Sequence, residues 1–382
     1  MLAWLSRWLA LGICAISTAW AQPADLDAAL NESVRLITKK TGLFSTQLET
    51  TLYKPDGDGP FPVAVINHGK APGDTRFQSR WRPGLAARYF LQRGYAVVVP
   101  MRQGFSKSTG SYIGGGCNVE SNGRVQAEDV QAVLDYLATE PWADVSRVVV
   151  LGQSHGGWTT LAYGTKPAAG VKGLINFAGG LRQESCVNWA GVLATAAGSY
   201  GKQTELPSLW FYGDNDSYFD PPTFQAMFDK YQAAGGHAKL VAFGKFGGDA
   251  HAMFGARNGA AIWQPEVTRF LASIGLPSAP DPAYAKFGGA LPTPSPPATG
   301  FAPLEDEASL PHVRDTGRAA YKTYLSKTIP RAFAIAPNAA WGWAEGGDDP
   351  LKRALNNCNR NGNGACRLYS VDDQVVWKPD AP

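Results

Sequence analysis

The stretch Arg147-Val148-Val149-Val150-Leu151-Gly152-Gln153-Ser154-His155-Gly156-Gly157-Trp158 decides how the rest of the chain is read. Its first five residues are a short apolar run of the kind a buried strand needs. Gly-x-Ser-x-Gly follows, and residues 158–163 have helical character. A strand, a sharp turn carrying serine, and a helix are the context in which this pattern signifies a nucleophile elbow. The chemistry accounts for the residue types. A serine held on a strained turn needs neighbours without bulk two places before and after it, and Gly152 and Gly156 meet that need, with Gly157 adding room. The start of the helix aims its free N–H groups at the site. Ser154 is therefore the expected nucleophile.

A serine hydroxyl attacks poorly without a base. The elbow implies the chain order serine, acid, histidine. Beyond His155, only His237, His251 and His312 follow Ser154. His251, in Gly247-Gly248-Asp249-Ala250-His251, lies on a loop after a strand and before the last helix of the alternating region, where a base belongs. His237 stands before that strand, and His312 lies far downstream. The acid belongs on the loop after the preceding strand, Tyr212-Gly213-Asp214-Asn215-Asp216. Asp216 clears the strand end better than Asp214, which remains the alternative. The oxyanion of the tetrahedral intermediate needs two N–H donors. The His155 amide is the first expected donor. The second is that of Lys70, in the glycine-bearing loop Asn67-His68-Gly69-Lys70-Ala71-Pro72-Gly73, with His68 as a brace for that loop.

Around the elbow, strand and helix patterns alternate. Apolar runs at 61–67, 95–100, 147–151, 173–177, 209–212 and 240–243 read as strands. Helical patterns fall at 85–92, 128–137, 222–234 and 265–274. Such alternation means parallel strands with crossover helices. Two earlier runs, 34–39 and 47–53, have no helix between them and are expected to form an antiparallel edge. The long polar, glycine-rich stretch 102–124 should border the site as a wall.

The ends read differently. Met1 to Ala21 has Arg7, a short apolar run and Ala19-Trp20-Ala21, the features of a cleaved signal peptide. Ile13 before Cys14 argues against a lipoprotein. The expected location is periplasmic or secreted, with no stable membrane insertion after cleavage. In an oxidising compartment the four remaining cysteines are expected to pair. Cys358 and Cys366 are neighbours in sequence with Gly362 and Gly364 between them, which leaves Cys117 with Cys186. Residues 22–276 read as the catalytic unit and 277–307, rich in Pro, Ala and Gly, as a linker. Residues 308–382 read as a small disulfide-stapled α+β module. The composition is that of a globular protein: 45% hydrophobic, 18% charged, net charge +3. Without a basic run, nucleic acid is not an expected partner. The 12 Trp residues are scattered, as core anchors are.

Asn67-His68-Gly69-Lys70, the Ser154 elbow, Tyr212 to Asp216 and Gly248-Asp249-Ala250-His251 together resemble the dienelactone hydrolase-like branch of the α/β-hydrolases. Arg102-Gln103-Gly104-Phe105-Ser106 is similar to the Arg-x-Gly-x-Ser segment of related esterases and serine peptidases. The resemblance covers residues 40–275. It implies a doubly wound, mostly parallel sheet of the eight-strand type, a Ser–Asp–His triad, and neither cofactor nor metal. Well-known members of that branch use a cysteine nucleophile. With Ser154 and an export signal, the expectation becomes a carboxylic-ester hydrolase acting on a small-molecule ester. A serine peptidase of prolyl-oligopeptidase type and a non-catalytic binding protein on the same scaffold are the alternatives. The C-terminal unit resembles small exported bacterial modules through Ala332 to Ala336, Trp341 to Ala344 and Cys366 to Tyr369, and no partner is implied for it.

Overall fold

The computed structural model describes residues 26–42, 44–288, 295–327, 329–346 and 349–379. The expected signal peptide and the linker residues Pro292-Thr293-Pro294 lie outside the described residues.

The apolar runs form strands. They are β1 (Glu32–Thr41), β2 (Phe44–Tyr53), β3 (Phe61–Asn67), β4 (Ala96–Pro100), β5 (Ala143–Gln153), β6 (Val171–Phe177), β7 (Ser208–Tyr212) and β8 (Ala238–Ala242). Of these, β3, β4 and β7 are buried along their whole length, while the edge strands β1 and β8 are partly exposed. They make one sheet in the order β1-β2-β4-β3-β5-β6-β7-β8. β1 and β2 form an antiparallel hairpin, β2 meets β4 antiparallel, and the strands from β4 to β8 run parallel. This is the α/β-hydrolase fold.

Side chains alternate across the sheet with period two. Val63, Val65, Val98, Val148, Val150 and Trp210 face one layer. α2 (Val119–Leu137), α3 (His155–Tyr163), α4 (Trp189–Gly201) and α5 (Pro221–Ala233) contribute to that layer. Ala64, Ile66, Val97, Val99, Val149, Leu151, Ile175 and Phe211 face the other. There they meet α1 (Gly84–Leu91) and α6 (Ala260–Ser273). Each fully buried valine or leucine contributes about 1.5–3 kcal/mol relative to exposure. The two layers thus hold β5, and with it the elbow, rigidly at the centre.

Three elements depart from the sequence pattern. α2 starts at Val119 rather than 128, because Asn118 caps it by accepting from the Ser121 amide at 2.9 Å. Its first turns are polar, yet Asn122 is fully buried. α4 has no amphipathic signature. It is rich in Ala and Gly and packs between α2 and α5, so small residues rather than a polar stripe define it. α6 begins at Ala260, five residues before the proline expected to open it, with Trp263 fully buried as its anchor.

A second, antiparallel sheet has the order β10-β9-β11-β12. It comprises β9 (Arg331–Ile335), β10 (Trp341–Glu345), β11 (Arg367–Val371) and β12 (Gln374–Val375). α7 (Asp315–Leu325) packs Tyr321 and Tyr324 on one face, and α8 (Pro350–Gly362) packs Ala354 and Cys358 on the other. The Pro-rich stretch is held at both ends. Tyr95 donates to the Pro277 carbonyl at 2.8 Å and Phe287 is buried, while the Thr299 hydroxyl donates to the Trp377 carbonyl at 2.8 Å. Cys117 is bonded to Cys186 and Cys358 to Cys366, as the spacing predicts. Two disulfides suit an oxidising compartment. No helix among the described residues is long and apolar enough to cross a membrane.

Candidate active site

At the end of β5 the chain turns so sharply that Ser154 takes φ 57° and ψ −124°. This is a left-handed conformation that costs a non-glycine residue of order 1–3 kcal/mol. The surroundings enforce it. The Ser154 amide donates to the Phe177 carbonyl at 2.9 Å, and the Ser154 carbonyl accepts from Gly180 and Trp158. The glycines are obligatory on contact grounds. A Cβ on Gly152 would sit 2.2 Å from the Gly156 carbonyl oxygen, and one on Gly156 would sit 2.1 Å from that of Asn67. The elbow thus touches both its own helix and the loop after β3.

Two loops at the carboxyl ends of β7 and β8 supply the remaining polar groups. His251 lies in a 3-10 turn capped by Asp249, whose carboxylate accepts from the His251 amide at 2.9 Å. The same carboxylate takes the Ser217 amide (3.0 Å) and hydroxyl (2.6 Å), stitching the two loops together. The Asp216 side chain is fully buried. Its Oδ1 accepts the amides of Tyr218 (2.8 Å) and Phe219 (3.0 Å). His251 Nδ1 lies 3.1 and 3.0 Å from the two Asp216 oxygens. A proton on Nδ1 leaves Nε2 as the basic nitrogen. The Tyr218 ring packs 4.5 Å from the imidazole. Gln153, next to the serine, donates to the His251 carbonyl at 3.0 Å and joins this loop to the elbow.

The structure therefore brings Asp216 to His251 and leaves Asp214 exposed, its amide spent on the Gly244 carbonyl. His237 is exposed at the opposite end of β8, and His312 sits in the small module near Trp377. The Ser154 hydroxyl makes no hydrogen bond among the described residues. In unliganded hydrolases the serine–histidine contact is often long and tightens only with substrate.

The loop after β3 runs beside the elbow, where a Cβ on Gly69 would sit 3.3 Å from the Ser154 Cβ. The Lys70 and His155 amides are not taken up by any hydrogen bond among the described residues. The Lys70 ammonium is half-buried over the Tyr112 ring at 5.8 Å, with no carboxylate partner among the described residues, and burial lowers its pKa. Buried His68 and His155 are both held well below the ordinary histidine range by burial and by the charge of Arg102. Arg102 itself is brought down to about 10 by burial and stays charged at neutral pH.

The stretch after β4 packs against the side chain of His155, the residue after the nucleophile. Tyr112 lies 5.8 Å from the His155 ring, and Asn122 accepts from His155 Nε2 at 2.8 Å while donating to the Ile113 carbonyl at 2.9 Å. Tyr218, Gln153 and Asn122 escape sequence reasoning, since nothing in their spacing marks them. Among the described residues no three His, Cys, Asp or Glu side chains converge to hold a metal ion. A surface groove of about 530 Å³, lined by His237, Lys239, Glu266 and Arg269, lies at the amino ends of β7 and β8, away from His251.

Solved structures with similar folds include an esterase of Pyrococcus furiosus, 14% identical over 66% of this chain and 95% of its own, with a TM-score of 0.47. A thermophilic esterase of Thermogutta terrifontis is 20% identical over 65% of this chain and 95% of its own, TM-score 0.46. An acylaminoacyl peptidase of Pyrococcus horikoshii is 18% identical over 63% of this chain, TM-score 0.45, and this chain spans 41% of its length. The sequence family described as X-Pro dipeptidyl-peptidase (S15 family) matches residues 42–235, from the β1–β2 turn through the elbow to the end of α5. More than half of the chain lies inside that match, and the chain belongs to the S15 family of hydrolases within the α/β-hydrolase superfamily.

Proposed function

We propose that this protein is an exported serine hydrolase that cleaves carboxylic esters through an acyl-Ser154 intermediate. The observation that carries the reading is the buried Asp216 carboxylate on His251 Nδ1, in a loop tied to the strained serine elbow. His251 takes the Ser154 proton as Oγ attacks the ester carbonyl, and Asp216 steadies the imidazolium. The amides of His155 and Lys70 donate hydrogen bonds to the developing oxyanion. Collapse expels the alcohol, which receives its proton from His251. Water then repeats the sequence on the acyl-enzyme and frees the acid.

The family's name favours a second reading, release of dipeptides ending in proline from a peptide amino end. Such a substrate brings an ammonium group close to the nucleophile. The half-buried Lys70 ammonium, which has no carboxylate partner among the described residues, disfavours a second cation there. Asp249, the acid nearest in sequence to the base, is spent on Ser217 and the His251 amide. Both points support an ester with a neutral or anionic acyl group. The test is hydrolysis of p-nitrophenyl esters from acetate to octanoate beside Xaa-Pro p-nitroanilides, by wild type and Ser154→Ala. Ester turnover lost in the mutant supports the proposal. Ser154-dependent turnover of the anilides alone establishes the peptidase instead.

A further inference from the structure

Behind the elbow lie a buried guanidinium and two neutral imidazoles, and the acyl-transfer steps use none of the three side chains. Arg102 follows β4 and is fully buried. Its backbone N–H donates to His68 Nε2 at 3.0 Å. Its Nη2 donates to His155 Nδ1 at 3.0 Å, and its Nε to Gln126 at 3.3 Å. Its Nη1 is buried without a partner, and no carboxylate is bonded to it among the described residues. The nearby Asp129 is instead paired with Lys39 at 2.7 Å.

These bonds decide which nitrogens carry protons. His68 Nε2 receives an N–H, so the proton sits on Nδ1, which donates to the Gly69 carbonyl at 2.6 Å. The Gly69 carbonyl and the Lys70 N–H belong to one planar trans peptide and point in opposite directions. Fixing the carbonyl therefore fixes the direction of the Lys70 N–H. On the other side, His155 Nδ1 receives the guanidinium, so Nε2 carries the proton and donates to Asn122 Oδ1 at 2.8 Å. The ring of the residue after the nucleophile is thus held at both nitrogens.

We propose that Arg102 is the positioning residue of the oxyanion site, its backbone amide setting the Lys70 donor through His68 and its guanidinium setting the His155 donor. The inference rests on the Ser154 reading. A buried cation without a bonded carboxylate is expensive to keep, and an apolar side chain of similar shape often folds as well. Stability therefore does not explain it. A fixed positive charge behind two N–H donors does, because it favours the alkoxide over the neutral carbonyl.

The experiment uses a trifluoromethyl ketone with wild type, Ser154→Ala, Arg102→Met and Arg102→Lys. Ser154 Oγ bonds to the carbonyl carbon, its proton passes to His251, and the carbonyl π pair becomes the hemiketal oxyanion. The pH titration of the adduct is followed by fluorine NMR, and ester kinetics are measured in parallel. Wild type should form the adduct and Ser154→Ala should not. In Arg102→Met the hemiketal should need about one pH unit more to ionise, with kcat down about 10- to 100-fold and KM nearly unchanged. Its Tm should stay within about 3 °C of wild type, and Arg102→Lys should recover part of kcat. An Arg102→Met adduct that ionises as in wild type overturns the inference, whatever happens to Tm. A wild type that forms no adduct instead refutes the Ser154 reading, and the inference falls with it.

Discussion

Cutting the Cys117–Cys186 bond by the double substitution Cys117→Ala/Cys186→Ala perturbs the site wall and the stability of the hydrolase unit together. The disulfide closes a loop of 69 residues, against 8 for Cys358–Cys366. Loop-closure entropy scales with the logarithm of loop length, so the long loop is worth about 4 kcal/mol and the short one about 2.5 kcal/mol. In a unit of this size, 4 kcal/mol corresponds to a fall in Tm of roughly 10 °C. The segments it joins are the wall after β4 and the approach to α4, so the consequence is also kinetic. Asn122 still holds the Ile113 and Gly114 carbonyls. The wall should therefore loosen near Cys117 while Tyr112 keeps its place over His155. The expected result is a higher KM for the longer acyl chains with kcat on acetate little changed. Calorimetry and the ester series measure both. A double mutant that melts within about 2 °C of wild type would refute the loop-entropy argument, and an unchanged chain-length profile would refute the placing of the wall.

Four further outcomes follow from particular contacts. Asp216→Asn should lower kcat by about 10³- to 10⁴-fold, because the amide can hold His251 in the wrong tautomer. Asp214→Asn should match wild type in the same assay, since Asp214 is exposed and, among the described residues, only its backbone is engaged. Gly156→Ala should cost several kcal/mol, about 3 or more, by driving a methyl group into the Asn67 carbonyl, and urea titration reads the loss. Burial raises Asp372, in the turn between β11 and β12, to about 6. The folded state therefore holds this proton more tightly than the unfolded chain, whose value is about 3.9. Its contribution is complete below about pH 4 and is lost as pH rises through about 6. Asp372→Asn, which keeps the acceptor for the Arg331 amide, should raise the melting temperature at pH 8 and leave it unchanged at pH 4. An equal shift at both values would refute the assignment.

The parts of this protein that were legible early are those decided by local periodicity and turn chemistry. A parallel strand buried on both faces is apolar along that length, so β3, β4 and residues 148–151 of β5 announce themselves, and a glycine-flanked serine between that strand and a helix reads as an elbow. The loop carrying His251 and the pairing of the cysteines were likewise readable from order and spacing. α4 was not, because a helix enclosed by other helices needs no polar face and so has no period to read. Nor was the true start of α2, where a buried Asn122 breaks the usual pattern.

Chain order alone determined the candidates: a serine elbow, an aspartate pair after one strand and a histidine after the next. Only the tertiary structure decided between them and supplied what surrounds them. It set Asp216 rather than Asp214 against His251. It placed Arg102 between His68 and His155, which are 34 and 53 residues away in sequence. It also brought Asp373 of the small module 3.0 Å from the Gly248 amide, across 125 residues. The physical reason is one of range: strand, turn and helix preferences act over a few residues and are written in neighbours, whereas hydrogen-bond partners across a core depend on how whole layers pack.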